Sequence, residues 1–294
     1  MKNTLQILIY GSVIFLLVYL FKTDNLSIPE IKNYRSFGFS IIFLILGFLL
    51  QAITWKIILK NFNIGISFKL SIISDSLCVF MKYIPGKVMS ILGRASYISN
   101  TQNISLLMTS SASFFSQMLA LWTGLILGIA ILLSGMLPPF VNISSAISII
   151  LLTAILIYPD ILLKIIMLIT RALNKEIKIQ SISMGSLLGI MPYFFSMWLF
   201  WGIGFYFFSV AITQYDVDKY IMLAFPFATS LAIIAFIAPG GIGIREGTLL
   251  GFLLLLSLPL SEATTIAISS RLWFLFGEVI YFVTGLTLKN FMKT

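Results

Sequence analysis

Charged residues punctuate this chain so sparsely that long stretches carry none: 3–21, 36–55, 95–159, 179–215 and 220–244. A transmembrane β-strand would read as alternating segments of about ten residues, whereas these runs are long and unpatterned. A helix needs about 20 apolar residues to cross the hydrocarbon of a bilayer. The pattern predicts helices over about 5–21, 37–59, 104–134, 143–158, 183–210 and 263–288. The stretch "DILLKIIMLITRALNKEIK" is spaced by Lys164, Arg171, Lys175 and Lys178. It reads as a basic amphipathic helix lying along the membrane surface.

Four shorter apolar pieces remain, at 66–81, 88–98, 220–238 and 247–260. Three of them fall below the length of an upright crossing and within the range of re-entrant segments. If each pair dips into the membrane and returns, the fold is an all-α polytopic transmembrane helical bundle. It has about six full spans plus two re-entrant or broken helix elements, and both termini lie on one face. With that face cytoplasmic, thirteen Lys and Arg lie inside and four (Lys22, Lys32, Arg35 and Lys219) outside. This bias agrees with the positive-inside rule. A rival with eight complete crossings needs spans of unusual shortness. The expected location is the plasma or inner membrane.

Composition narrows the class. The 294 residues are 59% hydrophobic and 10% charged, with a mean hydropathy of +1.06; a soluble domain carries about 25% charged residues. Too few polar side chains exist to coat a water-facing surface. The run 5–21 exceeds a typical signal-peptide core and no A-x-A-like site follows, so it reads as a retained anchor. Cys78 is the single cysteine and there is no histidine. That excludes an internal disulfide and removes the usual zinc ligand and neutral-pH base. No catalytic motif is recognisable, so the chain reads as a non-enzyme. No cofactor, metal or nucleic acid is expected.

Two stretches break helices where lipid should favour them, "FMKYIPGKVMSILGR" and "FIAPGGIGIREG". Each places Phe before a Pro-Gly pair and an Arg six to nine residues after the proline. Their prolines are 154 residues apart. Three full crossings between them would make them enter from opposite faces, the layout of an inverted repeat with discontinuous helices meeting near the midplane. The repeat halves would be about 37–134 and 183–288 of a single membrane domain. Pro85 and Pro239 interrupt helix hydrogen bonding, and Gly86, Gly240, Gly241 and Gly243 permit close backbone approach. The freed N–H groups and following helix N-termini suit an anion, with Lys87, Arg94 and Arg245 beside them.

Arg271 and Glu278 lie inside the last apolar run, where a charge costs about 2.5–3.5 kcal/mol on insertion scales. Their seven-residue spacing puts them on one face. The functional reading makes Arg271 a headgroup contact oriented by Glu278; the plain one is a structural ion pair or snorkelling. Glu246 follows Arg245 at once, so the two need different partners. Asp75 is expected to meet Lys69 or Lys82, or interfacial solvent. Gln117 reads as an interhelical hydrogen bond, and Lys56 and Lys60 as snorkelling anchors.

At "KYIPGKVMSILGRA" and "APGGIGIREG" the chain resembles the lysylphosphatidylglycerol synthase transmembrane-region family of flippase-like membrane proteins, over essentially its whole length. The resemblance implies lipid translocation without the soluble aminoacyl-transfer domain, as a stand-alone member. Met89 departs from an aromatic residue in the nearest subgroup. The expected ligand is a membrane lipid, an anionic phospholipid or a polyprenyl phosphate. It would be held by Lys87, Arg94, Arg245 and Arg271, with Glu246 and Glu278 balancing charge. The alternative is a membrane partner of a glycosyltransferase or other lipid-modifying enzyme, binding a lipid-phosphate carrier without moving it. Self-association is left open.

Overall fold

The computed structural model describes residues 29–83, 88–129, 139–158, 184–234 and 243–291. The run 5–21, the basic segment 160–178 and both Pro-Gly pairs lie outside the described residues. Among those described, the chain is helical throughout: α1 Tyr34–Asn61, α2 Phe68–Ser76, a 3-10 turn Val79–Tyr83, α3 Val88–Gln102, α4 Leu106–Leu127, α5 Pro139–Ile157, α6 Met184–Ile212, α7 Ile221–Ile234, α8 Ile244–Leu255 and α9 Leu260–Asn290. The chain is an all-α polytopic helical bundle.

Four of these helices, α1, α4, α6 and α9, are long and apolar enough to cross a membrane. At 1.5 Å per residue the 28 residues of α1 extend about 40 Å. By the same measure α2, α3, α7 and α8, with 9, 15, 14 and 12 residues, fall short of a crossing of about 30 Å. The expected helix at 104–134 stops at Leu127, where Gly128 caps it. The expected helix at 143–158 starts earlier, at Pro139, because a proline's missing N–H costs nothing in the first turn.

Local chemistry sets the ends. Asn33 accepts the Ser36 N–H at 3.1 Å and Ser67 accepts the Leu70 N–H at 3.1 Å, capping α1 and α2. Gly243 enters α8 with φ +84°, which a side chain would resist. The Glu246 carboxylate accepts the Gly243 N–H at 2.8 Å, which holds that turn closed.

Helices α1 and α6 pack antiparallel. The N–H groups of Lys32 and Asn33 donate to Ala211 O, Gly204 lies against the Ser40 carbonyl, and Gly47 lies against Trp201. A Cβ on Gly47 would overlap the indole, so a small residue sets the approach, as in membrane helix pairs generally. Pro226 inside α7 leaves the Met222 carbonyl without its helical donor, and Gly202 of α6 presses its bare Cα there. The core between these helices is aromatic: Phe48, Trp198, Trp201, Phe205, Phe225, Trp273 and Phe274.

The packing pairs come in matched sets. Helix α2 lies on α9, and α7 lies on α4; α3 packs with α4, and α8 with α9. In the first two contacts a glycine of the long helix receives a serine of the short one: Gly285 faces Ser76, and Gly124 faces Ser230. Ser76 and Ser230 are also 154 residues apart. The same shift carries the starts of α2, α3 and α4 to within two residues of the starts of α7, α8 and α9.

Candidate functional site

A cavity of about 670 Å³ opens among these helices, a size that suits a drug-sized ligand. Its wall includes Lys82 and Tyr83 from the 3-10 turn, Ser90 and Arg94 from α3, and Ser110 and Gln117 from α4. Gln51 and Thr54 from α1, Asp75 from α2, Thr229 from α7, Arg245 from α8 and Arg271 from α9 add to its polar part. Phe48, Phe114, Leu121, Phe194, Trp198 and Trp201 supply an apolar part. The segments flanking both Pro-Gly interruptions therefore border one space.

Each of the three nitrogens of Arg94 has a partner. Its Nε donates to Ser113 Oγ at 2.7 Å and its Nη2 to Ser113 O at 3.0 Å, while Nη1 meets Asp75 Oδ1 at 3.2 Å. The guanidinium sits 4.5 Å from the Trp55 ring centroid. Asp75, 4% exposed, also accepts from Gln51 Nε2 at 2.6 Å and Tyr281 Oη at 3.1 Å. One buried carboxylate thus ties α1, α2, α3 and α9. A buried ion pair is tolerable only when its remaining hydrogen-bonding capacity is met, and here it is. Gly93 allows this closeness, since a Cβ there would overlap Met81 Sδ. Asp75 was expected from sequence to meet Lys69, Lys82 or interfacial solvent; it pairs with Arg94 instead, because α3 folds back and delivers that residue first.

Arg245 repeats part of that arrangement. Its Nη2 donates to Ser270 O at 3.3 Å and to Ser270 Oγ at 3.2 Å, so each arginine clasps a serine on the following long helix. It lies 4.8 Å from the Phe225 ring centroid and 5.6 Å from that of Phe274. The difference is in what is missing. No carboxylate among the described residues reaches salt-bridge distance, and its Nε is buried without a hydrogen-bond partner. Ser110 Oγ and Thr229 Oγ1, on the same cavity wall, are likewise buried and unpartnered.

Two further ion pairs close the ring. Lys82 pairs with Glu278, which is 0% exposed and also accepts from Tyr83 Oη at 2.8 Å. Lys82 lies 4.9 Å from the Phe274 ring centroid. Arg271 Nε meets Glu246 Oε1 at 3.3 Å. Glu278 therefore serves Lys82 and Tyr83 rather than orienting Arg271. The two residues share a face of α9, but the 3-10 turn reaches Glu278 while α8 brings Glu246 to Arg271. Arg245 and Glu246 do face different partners.

Of the residues singled out by sequence, Arg94, Arg245 and Arg271 line the cavity, and Glu246 and Glu278 hold cations on its wall. Gly243 forms the entry to α8. Lys87, Pro85, Gly86, Pro239, Gly240 and Gly241 lie outside the described residues. Sequence reasoning missed Lys82 as a cavity residue and Ser113, Ser270, Trp55 and Tyr83 as partners. Hydroxyls inside apolar helices were the available signal, since such groups need a partner in lipid.

The model of the lysylphosphatidylglycerol synthase TM region matches residues 3–279, and the chain belongs to that family. It is an integral membrane protein of a lipid-handling family. Neither a curated protein nor a solved structure matches the chain.

Proposed function

We propose that this protein carries an anionic lipid headgroup through the bilayer, a flippase-like translocation. The observation that carries the reading is one cavity lined by Lys82, Arg94, Arg245 and Arg271 inside a bundle whose long helices are apolar. Cations at membrane depth are costly unless paired or matched to a charged ligand. Arg245 and Arg271, with Lys82 beside them, receive the headgroup; Arg94, held on three sides, stiffens the wall. The apolar wall at Phe114, Leu121 and Phe194 accepts the first part of the acyl chains.

The matched packing of the two halves, the 154-residue register and the antiparallel contact of α1 with α6 support an inverted repeat. In such repeats the substrate site lies between the broken helices near the midplane. The excess of Lys and Arg on one side supports a plasma- or inner-membrane protein with both termini cytoplasmic.

Purified protein in liposomes carrying a leaflet-labelled anionic phospholipid tests this. Transfer faster than in protein-free liposomes, reduced at least about tenfold by Arg271→Ala, is expected. Wild-type protein that leaves transfer at the protein-free rate overturns it. Binding without transfer would favour a carrier-binding partner of a glycosyltransferase instead.

A further inference from the structure

Two uncharged side chains on the cavity wall are left without partners. Ser116 and Gln117 are consecutive in α4, and both line the cavity. Ser116 is 3% exposed, and neither side chain has a hydrogen-bond partner among the described residues. The interhelical bond expected of Gln117 from sequence is thus not made. Gln51, the other glutamine lining the cavity, is taken: its Nε2 donates to Asp75 at 2.6 Å. The wall is anchored on both sides of the pair. Ser113, held by Arg94, lies one turn before Gln117 in α4. Ala120, whose carbonyl accepts the Trp198 indole N–H at 2.8 Å, lies one turn after it. Trp198 also lines the cavity, so an apolar ring surface adjoins the amide and the hydroxyl.

We propose that Ser116 and Gln117 form an uncharged subsite that takes the hydroxyl groups of a sugar or other polyol. An amide offers two N–H donors and an acceptor, and a serine hydroxyl both donates and accepts. Inside an apolar bundle, a polar group left unmet carries a penalty. Hydroxyls also donate and accept, so a pair of them satisfies this set. A phosphate diester or an ester carbonyl only accepts and leaves the amide oxygen without a donor; an ammonium only donates. The adjoining Trp198 ring suits the C–H face of a sugar whose hydroxyls meet α4. The inference takes from the translocation reading only that a ligand enters the cavity. What this subsite selects is a separate property, and it needs no charge on the ligand.

The test uses the full chain in nanodiscs of zwitterionic lipid, titrated with uncharged probes. One is dioctanoylglycerol bearing a hexose. The second is the same lipid with every hexose hydroxyl O-methylated, which keeps acceptors and removes donors. The third is the soluble methyl hexoside. The hexose lipid should bind at least about tenfold more tightly than its O-methylated form. Gln117→Leu should bring the two within about threefold, and Ser116→Ala should narrow the gap by less. Arg245→Gln, which removes a cation on another helix, should leave the preference intact. Ligand-free Gln117→Leu should melt no lower than wild type, because no protein partner is lost. Equal binding of the two lipids by the wild-type protein overturns the inference, a result that needs no variant to fold. A preference that survives Gln117→Leu, or a marked drop in the melting temperature of that variant, overturns it as well. Methyl hexoside binding as tightly as the hexose lipid upholds the subsite and assigns it to a soluble sugar. A hexose preference without lipid transfer in liposomes would defeat the translocation reading alone. Transfer of an anionic phospholipid without that preference would defeat this inference alone.

Discussion

Arg94 and Arg245 are built into the wall by the same local device and left in different states. Each projects from a short helix after an interruption, clasps the hydroxyl and carbonyl of a serine on the next long helix, and lies over an aromatic ring. Around Arg94, Asp75 completes the set and is itself shared with Gln51 and Tyr281. Around Arg245 no carboxylate among the described residues reaches salt-bridge distance, and its Nε has no hydrogen-bond partner. A buried cation with a partner at each of its three nitrogens is architecture. One with a buried nitrogen left unpartnered and no carboxylate beside it among the described residues is not closed in the same way. The difference lies in the neighbours, not in the arginine.

The comparison is broken most directly at Asp75. Removing one partner of a buried ion pair strands the other, so Asp75→Ala should cost about 3–5 kcal/mol in a detergent unfolding titration. A loss below about 1 kcal/mol would mean that the Arg94 clasp does not hold the wall. The serines sharpen it next. Ser113→Ala removes a 2.7 Å bond from a guanidinium and should cost about 1.5–3 kcal/mol, whereas Ser270→Ala, at 3.2 Å, should cost about 1 kcal/mol. Equal costs would erase the distinction between a closed and an open clasp. The smallest effect belongs to the paired change Asp75→Asn with Arg94→Gln. Replacing both members of a buried pair is far milder than removing one, so stability should return to within about 1 kcal/mol of wild type.

Much of this was legible in advance, for a physical reason. Runs such as 36–55 and 179–215 have no charge to satisfy in lipid, so α1 and α6 follow from composition alone. Both interruptions were visible because proline and glycine act through the backbone, whatever surrounds them. Partner choice was not legible. Lys82 pairs with Glu278 across 196 positions, and Tyr281 meets Asp75 across 206. Asp75 was expected to find a lysine near it in sequence, and the fold gave it Arg94 instead. The equal placement of Arg271 and Glu278 on one face suggested that they cooperate, yet each is taken by a different neighbouring element.

What the amino-acid order settled alone is the membrane class, the helical elements and the sites where they are interrupted. These depend on solvation of side chains and on backbone hydrogen bonding, both local. Which cations are neutralised and which one is left facing the cavity was decided only by tertiary structure. Charge pairing is set by distances of 3–4 Å between groups far apart in the chain, and only the packing of α2, α3, α8 and α9 brings those groups together.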